Sequence, residues 1–268
     1  MAKTAGSEMG LYKEWCDHDG ENKGRKCYLL LREKDTGRRA ILANLVKTVR
    51  SHYDRLDRIA EDVDQLGFTT AAAILRERLP TKARSRAGDL GEILASELAE
   101  EMLEFRVPVR RMRFKDGREV PLRGDDFIGV NFCDDDGSLW LLKGEAKSRK
   151  TLNKTTITEA RAALNADHGR CTPISLLFVA DQMMASNDED EAALGRLIRN
   201  EVGRKTLSKE RIDHALFTLS GNGPIAALQA DYDAVDKGRH HTIINLHVAY
   251  YSEFLDLVYE RASDLGDV

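Results

Sequence analysis

The sequence predicts a mixed α/β fold of the α+β type, in which a mixed central sheet is flanked by helices and follows a helical N-terminal region. Two observations support this prediction. Apolar residues recur at threes and fours over much of the first 80 residues, whereas the rest of the chain alternates short apolar runs, turn dipeptides and helical segments. That order fits one sheet with helices on both faces. We therefore divide the chain into an N-terminal region, residues 1–84, and a sheet domain, residues 85–268.

The N-terminal region is expected to be mostly helical. Residues 1–25 are polar and are expected to be partly mobile, and residues 27–31 form a short apolar run that suits an edge strand. Apolar spacing over residues 38–66 predicts one long helix or two shorter ones. Thr69 is a suitable cap for a further helix, and residues 81–86 have the composition of a basic linker.

The sheet domain is expected to alternate strands and helices. Helices are predicted at residues 89–105, 156–166, 186–202, 209–219, 225–235 and 253–262. Strands are predicted at residues 107–114, 120–122, 125–132, 139–147, 172–180 and 242–250. Capping boxes that begin at Thr156 and Ser186 open two of the helices. The dipeptides Asp116-Gly117 and Asp136-Gly137 predict turns between strands.

The composition is that of a soluble globular protein. Of 268 residues, 42% are hydrophobic, and 41 Lys and Arg against 45 Asp and Glu give a net charge of −4. The N-terminus lacks a secretory signal, and the longest apolar run is far shorter than the ~20 residues of a membrane-spanning helix. We therefore expect a cytoplasmic protein with no membrane partner. On net charge alone, a nucleic-acid partner would not be expected.

The middle of the chain carries the most informative pattern, because two apolar strands there bring acidic and basic residues to one place. Side chains alternate along a strand, so Glu145 and Lys147 project from one face of the second strand. Asp126 opens the first strand, and the turn between the strands would bring its carboxylate close to Glu145. Asp125 is an alternative to Asp126, since the two aspartates are adjacent.

Two carboxylates beside a lysine are the residue types that phosphodiester hydrolysis needs. A hard divalent cation, Mg²⁺ or Mn²⁺, binds a few carboxylate oxygens together with water and phosphate oxygens. The metal activates water and the phosphoryl group, while a lysine can orient the water and offset charge. We therefore expect Asp126 and Glu145 to bind the metal and Lys147 to position the attacking water. An exposed ion pair is the simpler alternative for Glu145 and Lys147.

Positive charge is concentrated in two segments that flank this pattern. Residues 106–123 contain seven basic and two acidic residues, a balance of +5, and residues 143–154 contain five basic and one acidic, a balance of +4. Lysine and arginine bind phosphates without regard to base sequence. An ordinary solvated face is the alternative, but the position of both segments favours phosphate contact. The expected contacts are Arg110, Arg111, Arg113, Lys143, Arg149 and Lys150.

The combination of Asp126 with Glu145-x-Lys147 at the end of an apolar strand resembles the pattern of PD-(D/E)xK nucleases. That resemblance implies a restriction-endonuclease-like fold for the sheet domain. In members of the superfamily, a preceding helix often carries a glutamate close to the metal. The Gly91-Glu92 pair occupies the matching place here, so the resemblance implies that Glu92 is a further catalytic residue and metal ligand.

One departure from the pattern affects the choice of aspartate. The usual Pro-Asp appears here as Gly124-Asp125-Asp126, without the proline. Asp126 is preferred because the apolar strand residues follow it directly, as they do in the superfamily.

A narrower resemblance rests on three segments: GDLGEILASELAE, VPVRRMRFKDGREVPLRGDDFIGV and LWLLKGEAKS. Together they resemble the HamA family, the nuclease subunits of the Hachiman anti-phage system, over roughly residues 85–250. This resemblance implies a DNA nuclease that forms a heterodimer with a HamB-like superfamily 2 helicase and ATPase. It further implies that the nuclease is held in check until the helicase senses abnormal DNA. DNA is preferred over RNA on this ground alone.

Two alternatives remain open from the sequence. The chain can be a catalytically inactive nuclease-like fold that acts as a nucleic-acid-binding or scaffolding subunit. It can also be an unrelated α/β protein in which Glu-x-Lys occurs by chance. The presence of both carboxylates and the lysine favours an enzyme.

Overall fold

A computed structural model describes residues 10–133 and 137–266 of the chain. The strands are β1 (Cys16–Lys23), β2 (Lys26–Glu33), β3 (Phe127–Phe132), β4 (Leu139–Arg149), β5 (Ile212–Ser220) and β6 (His241–His247). The helices are α1 (Leu11–Trp15), α2 (Gly37–Tyr53), α3 (Leu56–Leu66), α4 (Phe68–Arg78), α5 (Ala83–Met102), α6 (Lys154–Asn165), α7 (Pro173–Met184), α8 (Glu189–Arg204), α9 (Ala226–Ala234) and α10 (Tyr251–Ser263). The predicted mixed α/β fold is confirmed.

The six strands form one mixed sheet in the order β1-β2-β6-β5-β4-β3. β2, β6, β5 and β4 run parallel, whereas β1 and β3 run antiparallel to their neighbours. The last residues of β4, β5 and β6, which are Arg149, Ser220 and His247, lie side by side in the pairing register. We term this border the C-terminal edge of the sheet. Ligands of α/β proteins commonly bind outside the carboxyl ends of parallel strands.

Helix α5 lies directly against β4. Its apolar stripe is fully buried, with Leu90, Ile93 and Leu94 all 0% exposed, as the helical spacing predicts. A Cβ atom at Gly91 would come within 2.9 Å of the Cβ of Ser148 on β4, so glycine is what allows this close approach. Because α5 already begins at Ala83, the predicted linker at residues 81–86 is wrong.

Two predicted elements of the sheet domain are wrong in type. Residues 172–180, predicted as a strand, belong to α7, which has Pro173 in its first turn. The segment is mostly apolar, and periodicity cannot distinguish a strand from a helix in such a run. Residues 209–219, predicted as a helix, form β5 after a short 3-10 turn. β5 is buried on both faces, so its sequence lacks the polar alternation of a half-buried strand.

The N-terminal region contains a strand pair where the sequence predicts one edge strand. Residues 27–31 belong to β2, which pairs with β1 on one side and β6 on the other, so β2 is not an edge. The polar residues 16–23, expected to be mobile, form β1 through pairing with β2 rather than through strand propensity. Residues 1–9 lie outside the described part of the chain. The predicted helical segment 38–66 forms two helices, α2 and α3.

The predicted strands at residues 107–114 and 120–122 are wrong. The first segment is irregular and ends in a 3-10 turn, and the second is irregular. Pro108 and Pro121 each lack the backbone donor that a strand would use.

Predicted helix caps are displaced by two or three residues. Asn153 rather than Thr156 caps α6, and Asp188 rather than Ser186 caps α8. Both capping side chains accept hydrogen bonds from N–H groups of the first helical turn. Thr69 lies inside α4 instead of capping it.

The sheet draws strands from both sides of residue 84, with β1 and β2 before it and the other four strands after it. The division of the chain into two domains at that point stays a prediction. Of the predicted Asp136-Gly137 turn, the aspartate lies outside the described residues. None of the helices within residues 10–133 and 137–266 has the length and apolarity to cross a membrane.

Candidate active site

Asp126, Glu145 and Lys147 lie together where the start of β3 meets β4. Asp126 directly precedes β3, and its Oδ2 accepts a hydrogen bond of 2.8 Å from the backbone N–H of Ala146. Ala146 separates Glu145 from Lys147, and the side chains of these two residues form an ion pair on one face of β4. The structure therefore brings the three residues into one cluster, termed here the carboxylate–lysine site.

The two carboxyl groups of this site disfavour each other's ionisation. Glu145 is only 7% exposed. Burial and the carboxylate of Asp126 raise the pKa of Glu145 from 4.5 to about 7, although Lys147 opposes the shift. Burial likewise raises the pKa of Asp126. A cation bound between the two carboxylates would relieve the repulsion.

Lys147 carries a stable positive charge. Burial lowers the pKa of its ammonium group, but the attraction of Glu145 and Asp126 outweighs burial and raises the pKa above its usual value. The side chain is 20% exposed, so water or substrate can reach it. Lys147 is therefore suited to donate hydrogen bonds and to offset negative charge, whereas the site disfavours its use as a base.

Glu92 approaches the site from α5. The close packing of Gly91 on Ser148 brings this turn of the helix against β4. Burial and the carboxylate of Asp126 raise the pKa of Glu92 well above its usual range, so the two carboxyl groups interact electrostatically. The Glu92 Oε2 atom lies 3.8 Å from Nη1 of Arg111, which partly balances its charge.

The residues present fit a hard divalent cation through two carboxylates. Mg²⁺ is usually bound in proteins by one or two carboxylates, with water and phosphate oxygens as the other ligands. Asp126 and Glu145 supply that number. Across residues 10–133 and 137–266, no three His, Cys, Asp or Glu side chains are grouped closely enough to enclose a metal. The role of Glu92 as a further metal ligand stays a prediction.

Arg111 is buried and holds the segment in front of β3. It is 8% exposed, and its guanidinium donates hydrogen bonds to the carbonyl oxygens of Asp126 (2.7 Å), Arg123 (2.9 Å) and Asp125. The phosphate contact predicted for Arg111 is thus replaced by internal contacts. Sequence reasoning did not predict this positioning role. A run of basic residues reveals the charge of a segment but not where each side chain points.

The carboxylate of Asp125 accepts hydrogen bonds at the start of α7. Its Oδ2 accepts hydrogen bonds from the backbone N–H (2.7 Å) and the hydroxyl (3.1 Å) of Thr172, and its Oδ1 lies 3.5 Å from Nζ of Lys143. Lys143 is 1% exposed and also donates to the carbonyl oxygens of Ala166 (2.9 Å) and Arg170 (2.8 Å). Lys143 therefore supports the turn after α6, and its burial leaves no surface for the predicted phosphate contact.

Of the other residues predicted to contact phosphate, two bind protein groups and two are exposed. Arg110 pairs with Glu100 at 2.6 Å, and Arg113 donates to the carbonyl oxygen of Ser51 at 2.6 and 2.9 Å. Arg149 and Lys150 are exposed directly after the Glu145-x-Lys147 motif. Of the predicted phosphate contacts, these two are both exposed and next to the carboxylate–lysine site.

The fold and the site define a mixed α/β protein whose central sheet carries a buried carboxylate–lysine cluster. A family model described as HamA matches residues 10–262, so the chain belongs to the HamA family, as its sequence motifs predict. The Hachiman protein HamA of Bacillus cereus is 25% identical to the chain over 176 residues. That alignment spans 58% of the chain and 62% of the relative, which is less than two thirds of the relative's length.

Proposed function

We propose that the chain is a metal-dependent DNA nuclease that hydrolyses phosphodiester bonds at the carboxylate–lysine site. The observation that carries the proposal is the cluster itself, in which Asp126, Glu145 and Lys147 meet and the pKa of Glu145 is raised to about 7. Carboxylates buried side by side cost stability, and such arrangements are typical of functional sites.

Each residue of the site has a distinct role in the proposed reaction. Asp126 and Glu145 would hold Mg²⁺ or Mn²⁺, with Glu92 as a further carboxylate next to Asp126. When bound, the metal would polarise the phosphoryl group and lower the pKa of bound water. The Lys147 ammonium orients the attacking water and offsets the charge that develops on the phosphate. Arg111 fixes the backbone from which the Asp126 side chain projects.

The substrate backbone would be held beside the site by exposed positive charge. Arg149 and Lys150 directly follow the motif and are exposed, which suits contact with phosphates. Such contacts are independent of base sequence and weaken with salt. We therefore expect a nuclease without base specificity from these residues.

Membership of the HamA family supports a role in anti-phage defence. The Bacillus cereus relative is a Hachiman protein, and the sequence resemblance implies a HamB-like superfamily 2 helicase and ATPase as partner. We infer that the chain is the nuclease subunit of a heterodimer with that helicase. The helicase would sense abnormal DNA and release the nuclease.

The alternative is a nuclease-like subunit that binds nucleic acid or acts as a scaffold without cleaving. The observation in its favour is that the exposed residues Arg149 and Lys150 would serve nucleic-acid binding without turnover equally well. The two proposals differ in turnover, so a cleavage assay separates them.

The test is cleavage of supercoiled plasmid DNA by the purified chain, alone and with the helicase partner and ATP. The proposal expects nicked or degraded DNA with Mg²⁺ or Mn²⁺ and intact DNA with EDTA. Intact DNA under every condition, with DNA binding retained, would favour the alternative. Cleavage that persists in EDTA would contradict a metal-dependent mechanism.

A further inference from the structure

Tyr250 is an exposed aromatic residue in a conformation that tyrosine rarely adopts. It stands between β6 and α10 with φ 52° and ψ 51°, in the left-handed region. A non-glycine residue held there costs free energy, and such strain is concentrated at functional sites. Its side chain is 76% exposed, whereas the next most exposed large apolar residue of the described chain, Ile174, is 52% exposed.

Hydrogen bonds hold the backbone on both sides of Tyr250, so its exposed side chain projects from an ordered segment. The N–H of Ala249 donates to Glu33 at 3.1 Å, and the carbonyl oxygen of Ala249 accepts from Arg38 at 2.6 Å. Glu33 and Arg38 also form an ion pair with each other. The carbonyl oxygen of Tyr250 accepts from the N–H of Phe254 at 2.9 Å, which starts α10.

Tyr250 follows the last residue of β6, His247, and lies at the same end of the sheet as the last residues of β4. The hydroxyl of Tyr251 forms a hydrogen bond of 2.6 Å with Oγ of Ser148. Ser148 lies between Lys147 and Arg149, so this bond ties the first turn of α10 to the end of β4. The exposed tyrosine therefore stands at the C-terminal edge, one residue away from a direct contact with the motif strand.

We propose that Tyr250 is a stacking platform for an unpaired base of a single-stranded nucleic acid bound along the C-terminal edge. This inference rests on the proposed function, because it assigns the substrate class of the same site. Arg149 and Lys150 supply the positive charge that a phosphate backbone requires. The accessible ring of Tyr250 supplies the second component of single-strand binding sites, an aromatic surface for a base.

Single strands are favoured over duplexes by the chemistry of stacking. In a duplex both faces of every internal base are covered by neighbouring bases, whereas a single strand can turn a base onto a protein ring. Within the described residues, the Tyr250 ring makes no hydrogen bond or ring contact with the protein, so its surface is available. The substrate class that this surface favours is therefore a single-stranded nucleic acid.

The test measures binding by fluorescence anisotropy in EDTA, with a labelled oligothymidylate and a blunt duplex of the same length. Tyr250→Asn keeps a residue that tolerates the left-handed conformation and removes the ring, whereas Tyr250→Phe keeps the ring. Phe68→Ala removes another exposed aromatic ring, 50% exposed, from the separate α3–α4 hairpin. We expect Tyr250→Asn to weaken single-strand binding between about 5-fold and about 150-fold.

The controls decide what a loss of binding means. Tyr250→Phe and Phe68→Ala should bind the single strand like the wild type, and duplex binding should be nearly unchanged by Tyr250→Asn. Equal single-strand affinity of Tyr250→Asn and wild type would overturn the platform, as would an equal loss on duplex. Because binding is read in EDTA, a protein that binds single strands through Tyr250 but never cleaves would contradict the nuclease proposal alone.

Discussion

A hydrogen bond of 2.8 Å joins the backbone N–H of Ala146 to the side chain of Asp126. It links the residue in front of β3 to the middle residue of the Glu145-x-Lys147 motif on β4. Through this bond, the two strands place both carboxyl groups and the lysine at one point of the sheet. Substitutions of Asp126 and of Asp125 therefore test which aspartate belongs to the site.

Asp126 and Asp125 should respond differently to the same change. Asp126→Asn keeps an oxygen that can accept from Ala146 but loses the negative charge, so we expect Mn²⁺ binding to be lost while the fold is retained. Asp125→Asn removes the charge beside buried Lys143 and should lower the free energy of unfolding by about 1–3 kcal/mol. Calorimetric Mn²⁺ titration and urea unfolding measure the two effects. Retained Mn²⁺ binding in Asp126→Asn, with loss in Asp125→Asn, would reverse the assignment.

The raised pKa of Glu145 predicts a pH-dependent stability. The pKa of the Glu145 carboxyl is 4.5 in the unfolded chain and about 7 in the folded protein, so the folded state binds the proton more tightly. The contribution of the Glu145 carboxyl to the free energy of unfolding is therefore complete below about pH 4.5 and is lost as the pH rises through about 7. Glu145→Gln avoids that loss, and in EDTA at pH 8 it should exceed the wild type by about 1–3 kcal/mol in unfolding free energy.

Urea unfolding across this pH range tests the expectation. The gain of Glu145→Gln over wild type should shrink toward pH 5, and Mg²⁺ should stabilise only the wild type. Glu77→Gln is the matched control, because Glu77 has a side chain that is 80% exposed on α4. A gain that is equal at both ends of the range would contradict the burial argument.

The approach of α5 to β4 depends on Gly91. A Cβ at this position would meet Ser148 at 2.9 Å, so Gly91→Ala should destabilise the protein by about 1–3 kcal/mol through overpacking. Gly88 lies one turn earlier and has no atom within 4 Å of the place that a Cβ would occupy, so Gly88→Ala should be neutral or stabilise by about 0.5–1 kcal/mol. Urea midpoints of the two variants measure the difference. Equal midpoints would show that the helix can shift without cost.

Arg111 should act on stability more than on DNA affinity. Arg111→Ala leaves three backbone carbonyl oxygens without their donor, and we expect a loss of about 2–4 kcal/mol. Arg106→Ala is the matched control, because the Arg106 side chain is 51% exposed and pairs with Glu191 at the surface. That pair should contribute about 0–1 kcal/mol. If Arg111→Ala unfolds like wild type but binds DNA more weakly, a phosphate contact for Arg111 would be supported instead.

The candidate site was accessible to sequence reasoning because it follows from strand geometry. Alternation along β4 correctly places Glu145 and Lys147 on one face, and an antiparallel partner strand brings the preceding aspartate beside them. The same alternation puts Lys143 on that face, but it says nothing of the turn after α6 that covers Lys143. Burial by distant segments is a tertiary property, so sequence alone assigns charge better than exposure.

The errors in the fold have the same origin. Residues 172–180 are mostly apolar although Ile174 is 52% exposed, and residues 209–219 join a charged start to a strand that is buried on both faces. Neither segment carries a period that separates helix from strand. The polar residues 16–23 form a strand only because β2 offers them backbone partners. By contrast, the buried residues Ile41, Leu45 and Val49 of α2 recur every four positions, and this helical period is visible in the sequence.

The most direct test of the central claim is the initial rate of plasmid cleavage with Mg²⁺ by Glu145→Gln and Lys147→Ala, in the presence of the helicase partner. Both variants should retain the wild-type far-ultraviolet circular dichroism, and each should cleave about 10²–10⁴-fold more slowly than wild type. Glu77→Gln should cleave at the wild-type rate. Cleavage by both site variants at the wild-type rate would contradict the assignment of the carboxylate–lysine site as the catalytic centre.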